Sequence, residues 1–211
     1  MVVNNLKMEK AIALLSGGID SPVAIAKMQD KLNIIAVHFH QVPLSDEKEV
    51  DKVKELAKLL NLKKLYLIPF AEVFKEIVNK CRHKDFFVLS KILMFKAAEV
   101  IAKDENAKFL ITGENLAQVS SQTLPNLEAI SSQIKLTIFR PLLTFDKQEI
   151  INYAKELGTY ETSKGPEICC LLGPKHPSTN SSIEIVEKEL KSIDVNMLIK
   201  ESLNKAELIE Y

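Results

Sequence analysis

Cysteine is scarce: Cys81, Cys169 and Cys170 are the three in 211 residues. Their odd number and uneven spacing exclude a disulfide framework of the kind that staples small secreted domains. No Cys-x-x-Cys pair occurs, so zinc sites built on such pairs are excluded and no protein-held metal is expected. Charge of one sign is missing as well. The 28 Lys and Arg balance 28 Asp and Glu, which excludes a general coat for nucleic acid but leaves room for a local basic patch. No run approaches the roughly 18 apolar residues of a membrane span, and residues 1–10 carry no long apolar stretch of the secretory kind. A cytoplasmic protein with no membrane partner is expected. The loop Gly-x-x-x-x-Gly-Lys-Ser/Thr is absent too, so the usual arrangement for γ-phosphate transfer is not expected.

What is present is an ordinary apolar fraction, 46%, arranged as short apolar runs alternating with amphipathic segments. Strands are predicted at residues 11–15, 33–39, 65–69, 108–112 and 137–139. Helices are predicted at residues 20–31, 45–60, 71–80, 88–103 and 146–157. In the second helix Val50, Val53, Leu56, Ala57 and Leu60 share one face, and Ser45 or Asp46 is a plausible cap. Gly158 stands where a left-handed helix end belongs. This alternation predicts an α/β fold, a Rossmann-like doubly wound parallel sheet covered on both faces. Residues 178–182 are polar and suggest a break. The expected organisation is therefore a main domain over 1–180 and a helical C-terminal tail over 181–211.

The first strand runs into Ser16-Gly17-Gly18-Ile19-Asp20-Ser21. Ligands of open parallel sheets bind at the carboxyl ends of strands. Gly17 and Gly18 lack Cβ atoms, so backbone N–H groups can approach a phosphate closely. The following helix adds unpaired donors and a positive dipole end, and Ser16 and Ser21 add hydroxyls. Asp20 fits either a helix-start role or a carboxylate acting on phosphates through a metal ion. The pattern resembles the signature of the PP-loop ATP pyrophosphatases, related to the adenine nucleotide alpha hydrolases. These enzymes cleave ATP between the α and β phosphates.

Three later segments add to this. Residues 112–124, Thr-Gly-Glu-Asn-Leu-Ala-Gln-Val-Ser-Ser-Gln-Thr-Leu, follow the fourth strand and meet the first loop on the same sheet edge. There Gly113 permits close backbone approach, and Gln118 or Gln122 can pair with an adenine or ribose edge. Phe139-Arg140-Pro141-Leu142-Leu143 precedes Asp146-Lys147 and a helix; Arg140 suits a forked phosphate contact or a structural ion pair equally. Residues 166–177 contain Pro-Glu-Ile-Cys-Cys. With Val37-His38-Phe39-His40, these segments resemble the catalytic domain of the tRNA 4-thiouridine synthetase (tRNA uridine 4-sulfurtransferase) family over about residues 11–177.

The resemblance implies an enzyme that uses ATP, with Mg2+, to adenylate O4 of the uridine at the eighth position of tRNA. A persulfide or sulfide then attacks C4 and AMP leaves. It implies nucleotide contacts from Leu14, Leu15, Ser16, Gly17, Gly18, Asp20, Ser21, His38, Phe39, Gly113 and Gln122, with Asp20 and Cys169 in catalytic roles. Read from the residues alone, His38 suits a structural histidine at a strand end, and Cys169 a buried apolar cysteine. A thiolate at Cys169 would serve as nucleophile or persulfide carrier. A Cys169–Cys170 disulfide is disfavoured, since adjacent Cα atoms lie about 3.8 Å apart, below the usual range of about 4.4–6.8 Å. Cys81 is a candidate resolving partner. Three cysteines also suffice for an iron–sulfur cluster with one open site, which their spacing does not favour.

The chain departs from the family pattern in places. Many members carry an N-terminal ferredoxin-like and THUMP extension, and some a C-terminal rhodanese domain. Neither is visible here, so a separate RNA-binding protein is an expected partner, beside tRNA and a sulfur donor; a homodimer is compatible. A basic contact of many members aligns with Ser90, and Lys91 or Lys96 is expected to replace it. Lys75, Lys80, Arg82, His83, Lys84, Lys91 and Lys96 cluster in sequence, as a phosphate-binding patch or simply a solvated helix face. Two other readings stay open: an enzyme of the same superfamily thiolating or amidating a small molecule, and a nucleotide-binding module without catalysis.

Overall fold

The structure is a computed structural model describing residues 8–45, 47–116, 118–165 and 172–211. Asp46, Cys169 and Cys170, to which roles were assigned above, lie outside the described residues. In chain order the elements begin β1 (Lys10–Leu14), α1 (Asp20–Ala26), β2 (Asn33–His40), α2 (Lys48–Leu59), β3 (Lys64–Pro69) and α3 (Ala71–Lys80). A short 3-10 helix (His83–Asp85) leads into α4 (Phe86–Glu105), then β4 (Phe109–Ile111). A second 3-10 turn (Ser120–Gln122) precedes α5 (Leu124–Ser132) and β5 (Thr137–Phe139). The chain continues with α6 (Lys147–Glu156), α7 (Tyr160–Ser163), α8 (Ile183–Leu190), α9 (Val195–Asn204) and β6 (Glu207–Glu210).

The strands form one sheet in the order β5-β4-β1-β2-β3-β6. The first five are parallel, with Ile12 of β1 opposite both Ile35 of β2 and Leu110 of β4. The chain winds outward from β1 through β2 to β3, then returns to place β4 on the other side of β1. The direction of winding therefore reverses between β1 and β4, and the crevice at their carboxyl ends is the natural ligand site of such a sheet.

Strand alternation divides the core. Ala11, Ala13 and Ala36 face α1 and α2, where small side chains admit Val23, Ile25, Val53 and Leu56. Ile12, Ile35, Val37 and Leu110 face the other way, against Phe74, Ile77, Leu89 and Ile92 of α3 and α4. Helix α4 is apolar round most of its circumference, the signature of a buried helix.

Local chemistry fixes several boundaries. Asp146 and Glu149 form a reciprocal capping box at the start of α6, and Gly158 ends the segment with φ +72°, as its position predicts. Helix α1 stops at Ala26, short of the expected residue 31, and the chain turns towards β2 as the Lys27 and Met28 N–H groups donate to the Val23 and Ile25 carbonyls. Ser45 does not cap α2: the cap position is Glu47, two residues on, and the Ser45 hydroxyl is buried without a partner.

The larger correction concerns the tail, which is not wholly helical. After α8 and α9 it ends in β6, antiparallel to β3, with Leu65 opposite Ile209 and Tyr66 opposite Leu208. The sheet is thus mixed, its antiparallel strand covering the β3 edge. Val186, Ile193, Leu198 and Ile199 are buried in the same apolar cluster as α3 and α4.

Candidate functional site

The 16–21 loop closes on itself through Ser21. Its hydroxyl accepts the Ser16 N–H at 2.9 Å, lies 3.0 Å from the Ser16 hydroxyl, and donates to the Ser16 carbonyl at 3.3 Å. The Gly18 N–H is 3.3 Å from the Ser16 hydroxyl. These bonds hold the turn between β1 and α1 in a ring at the helix N-terminus.

Gly113, just after β4, seats the second loop on this ring. A Cβ there would lie 2.7 Å from the Ser21 backbone nitrogen and 2.8 Å from the Asp20 carbonyl carbon. Only a residue without a side chain allows this approach. The β1 and β4 loops therefore share one wall of a cavity of about 650 Å³.

Every nucleotide contact expected from the sequence lines that cavity except Gly17: Leu14, Leu15, Ser16, Gly18, Asp20, Ser21, His38, Phe39, Lys91, Gly113 and Gln122. Gly17 instead faces the Lys52 side chain of α2. Of the two lysines offered in place of the family's basic contact, Lys91 lines the cavity, whereas Lys96 donates to the Gln133 carbonyl at 2.9 Å. Phe39, Phe74, Phe86 and Phe87 supply an apolar side to the cavity; Phe70 joins Phe39 to Phe74 edge-to-face, and Phe74 meets Phe86 at a tilt.

The polar groups are poised for a ligand. His38 is 2% exposed and its Nδ1–H donates to the Leu15 carbonyl at 2.9 Å. Burial pulls its pKa down to about 4, although that backbone bond opposes the shift. The ring is therefore neutral at neutral pH, leaving Nε2 as a buried acceptor with no protein partner. The Ser90 hydroxyl and the Gln122 and Gln41 side-chain oxygens, all on the same cavity, are also buried and unpartnered. Buried polar atoms are normally hydrogen-bonded, so four such atoms around one cavity mark a site for a polar ligand.

Two charged groups were not assigned a role from the sequence. Lys147, at the first position of α6, lies 3.4 Å from Asp20 and lines the cavity beside it. Nothing in the local sequence marked it beyond its place at the start of a helix. Glu114 is buried, with Lys91 Nζ at 2.7 Å and Arg140 Nε at 2.8 Å. Burial pushes its carboxyl up, but Lys91 and Arg140 outweigh that and hold it below the usual range. Arg140 is thus an ion-pair partner, and it also donates to the Ser131 hydroxyl at 3.0 Å.

The basic cluster in sequence is divided in space. Lys75 pairs with Glu72, Lys80 with Glu76 and Arg82 with Asp85, while Lys91 lies in the cavity. His83 Nε2 donates to the Leu172 carbonyl at 2.8 Å, and Lys52 Nζ to the Ser163 carbonyl at 3.0 Å. These two bonds anchor the residues on either side of 166–171: Lys52 lies against Gly17, and His83 packs on Phe86. Cys81 makes a poor resolving thiol. Burial pushes its pKa up to about 11, helped by Glu189, and Sγ donates to the Glu189 carbonyl.

The family model described as thiamine biosynthesis protein (ThiI) matches residues 7–195. The chain belongs to the ThiI family. This is the family expected from the 112–124 segment read together with the 16–21 loop, which alone pointed only to a wider superfamily, and the likeness extends to individual proteins. A probable tRNA sulfurtransferase of Acetivibrio thermocellus is 39% identical over 209 residues, covering 95% of this chain and 53% of the relative. One of Thermus thermophilus is also 39% identical over 209 residues, covering 96% and 52%. A crystal structure of a 4-thiouridine synthetase–RNA complex with bound ATP superposes with a TM-score of 0.91 at 36% identity, covering 95% of this chain and 55% of that one. The chain spans about half the length of the curated ThiI relatives it matches. Among the described residues, no helix is long and apolar enough to cross a membrane.

Proposed function

We propose that this chain carries the adenylating and sulfur-transferring chemistry of an ATP-dependent tRNA sulfurtransferase that makes 4-thiouridine at the eighth position of tRNA. The observation carrying this reading is the cavity at the β1–β4 crevice, with its serine ring and four unpartnered polar atoms. The similarity to a 4-thiouridine synthetase–RNA complex with bound ATP supports it.

In this reading the 16–21 loop and the α1 N-terminus bind the phosphates of ATP, and the neutral His38 offers its Nε2 acceptor to the nucleoside. Uridine O4 attacks the α-phosphorus and pyrophosphate leaves; a sulfur nucleophile then adds at C4 and AMP departs with O4. Adenylation matters because a carbonyl oxygen is otherwise a poor leaving group. Lys147, beside Asp20, is placed to offset charge developing on the phosphates.

Among the described residues no cluster of three or more His, Cys, Asp or Glu side chains is arranged for a metal. The cavity-lining Asp20 carboxylate nevertheless fits Mg2+ held chiefly by nucleotide oxygens, since that ion commonly uses one or two protein carboxylates. Mg2+ would supply charge neutralisation on the phosphates, with Asp20 holding it. Cys169 is the proposed sulfur-bearing nucleophile, on its Pro-Glu-Ile-Cys context; a persulfide carrier or sulfide is the proposed donor.

The deciding experiment is mass spectrometry of nucleosides from bulk tRNA of cells lacking the gene. Loss of 4-thiouridine, restored by the gene, is expected; an unchanged 4-thiouridine level sinks the proposal.

A further inference from the structure

Three charged side chains meet at the cavity wall: Lys91, Glu114 and Arg140. The Glu114 carboxylate has no exposed side-chain surface and uses one oxygen for Lys91 and the other for Arg140. Arg140 is tied again to Ser131 of α5. One carboxylate thus faces two cations, on a cavity that Asp20, Glu49 and Lys147 also line.

The two cations are not equivalent. Arg140 faces α5, outside the cavity lining, whereas Lys91 lines the cavity and keeps 26% of its side-chain surface exposed. Glu114 itself belongs to the loop that Gly113 seats against α1. The carboxylate thus joins α4, the β4 loop and the residue after β5, and fixes where the Lys91 ammonium sits relative to the 16–21 ring.

We propose that Glu114 is a positioning residue: it holds the Lys91 ammonium in the cavity as the fixed positive charge that binds the phosphate chain of ATP. This assignment rests on the nucleotide reading above. A flexible lysine loses rotamer freedom when it binds an anion, and Glu114 removes that cost in advance. Its lowered pKa keeps the carboxylate ionised through the physiological range.

The test is calorimetric titration of the full 211-residue chain with MgATP, alongside thermal melts, for wild type, Lys91→Ala, Glu114→Gln and the double variant. Loss of a charge-assisted contact predicts about tenfold weaker binding for each single variant. Because Glu114 acts through Lys91, the double variant is expected to be no weaker than Lys91→Ala alone. Should Glu114→Gln fail to fold, Glu114→Gln/Arg140→Met keeps the same net charge while freeing Lys91, and is expected to bind about tenfold more weakly. Wild-type affinity in a folded Glu114→Gln or Glu114→Gln/Arg140→Met protein overturns the assignment, as does an additive loss of about a hundredfold in the Lys91→Ala/Glu114→Gln pair. A wild-type chain that binds no ATP overturns the nucleotide reading itself.

Discussion

Gly113 touches the start of α1: a Cβ on it would lie 2.7 Å from the Ser21 backbone nitrogen. Two loops distant in sequence are thereby locked into one wall. Gly113→Ala should force them apart, costing about 1–3 kcal/mol of stability and weakening ATP binding about tenfold or more, since misplacement by an ångström spoils positioned contacts. Gly158 is the control. It has φ +72° and open space around its Cβ position, so Gly158→Ala should cost about 1–2 kcal/mol of backbone strain and leave ATP binding unchanged. Urea denaturation and calorimetry read both effects; equal ATP affinities for wild type and Gly113→Ala would falsify the shared-wall account.

Ser21→Ala removes the hydroxyl that closes the 16–21 ring. The Ser16 N–H then loses its 2.9 Å acceptor. A loss of about 1–2 kcal/mol in stability and of at least about tenfold in ATP affinity is expected. Threonine restores the hydroxyl, so recovery of affinity in Ser21→Thr, where the extra methyl fits, separates the bond from the packing.

His38 makes stability depend on pH. Its pKa is about 4 in the folded chain, against 6.5 ordinarily, so the unfolded chain takes up a proton first as pH falls. The contribution is complete above about pH 6.5 and is lost as the pH falls towards 4, a difference on the order of 3 kcal/mol. Urea midpoints measured across that window should fall with pH and flatten in His38→Asn. Some slope will remain because burial also lowers the pKa of His40. An identical slope in wild type and variant would show that His38 is not the group responsible.

The cysteines should separate by reactivity. Cys169→Ser is expected to abolish 4-thiouridine formation while leaving MgATP affinity unchanged; full sulfur transfer by the variant removes Cys169 from the mechanism. Cys81, with its thiol pushed up to about 11, should resist iodoacetamide at pH 8, because the thiolate is the reactive form. Peptide mass spectrometry of the alkylated chain checks this, and Cys81→Ser should retain sulfur transfer.

Local pattern was enough for much of the fold. The apolar run of β1 ending in Ser16-Gly17-Gly18, the one-sided α2 and the Gly158 helix end each state their own conformation, because neighbouring residues decide it. The ring of Ser16 and Ser21 belongs to the same class: its partners are five residues apart. The expected ligand edge followed from the parallel sheet that alternating strands and helices imply, because its strands end on one side.

Other features depend on distant partners. Glu207-Leu208-Ile209-Glu210 is too short for periodicity to tell strand from helix, and it becomes β6 because β3 offers an open edge. Arg140 suited phosphate or carboxylate equally well until burial beside Glu114 and Lys91 selected the ion pair. Lys147 carried no pattern of its own and gained a candidate role only when α6 brought it beside Asp20. The sequence by itself determined the family and the 16–21 turn between β1 and α1, since both are written in contiguous residues. The tertiary structure alone decided which charges meet, because residues far apart along the chain acquire their electrostatic environment only when the sheet assembles.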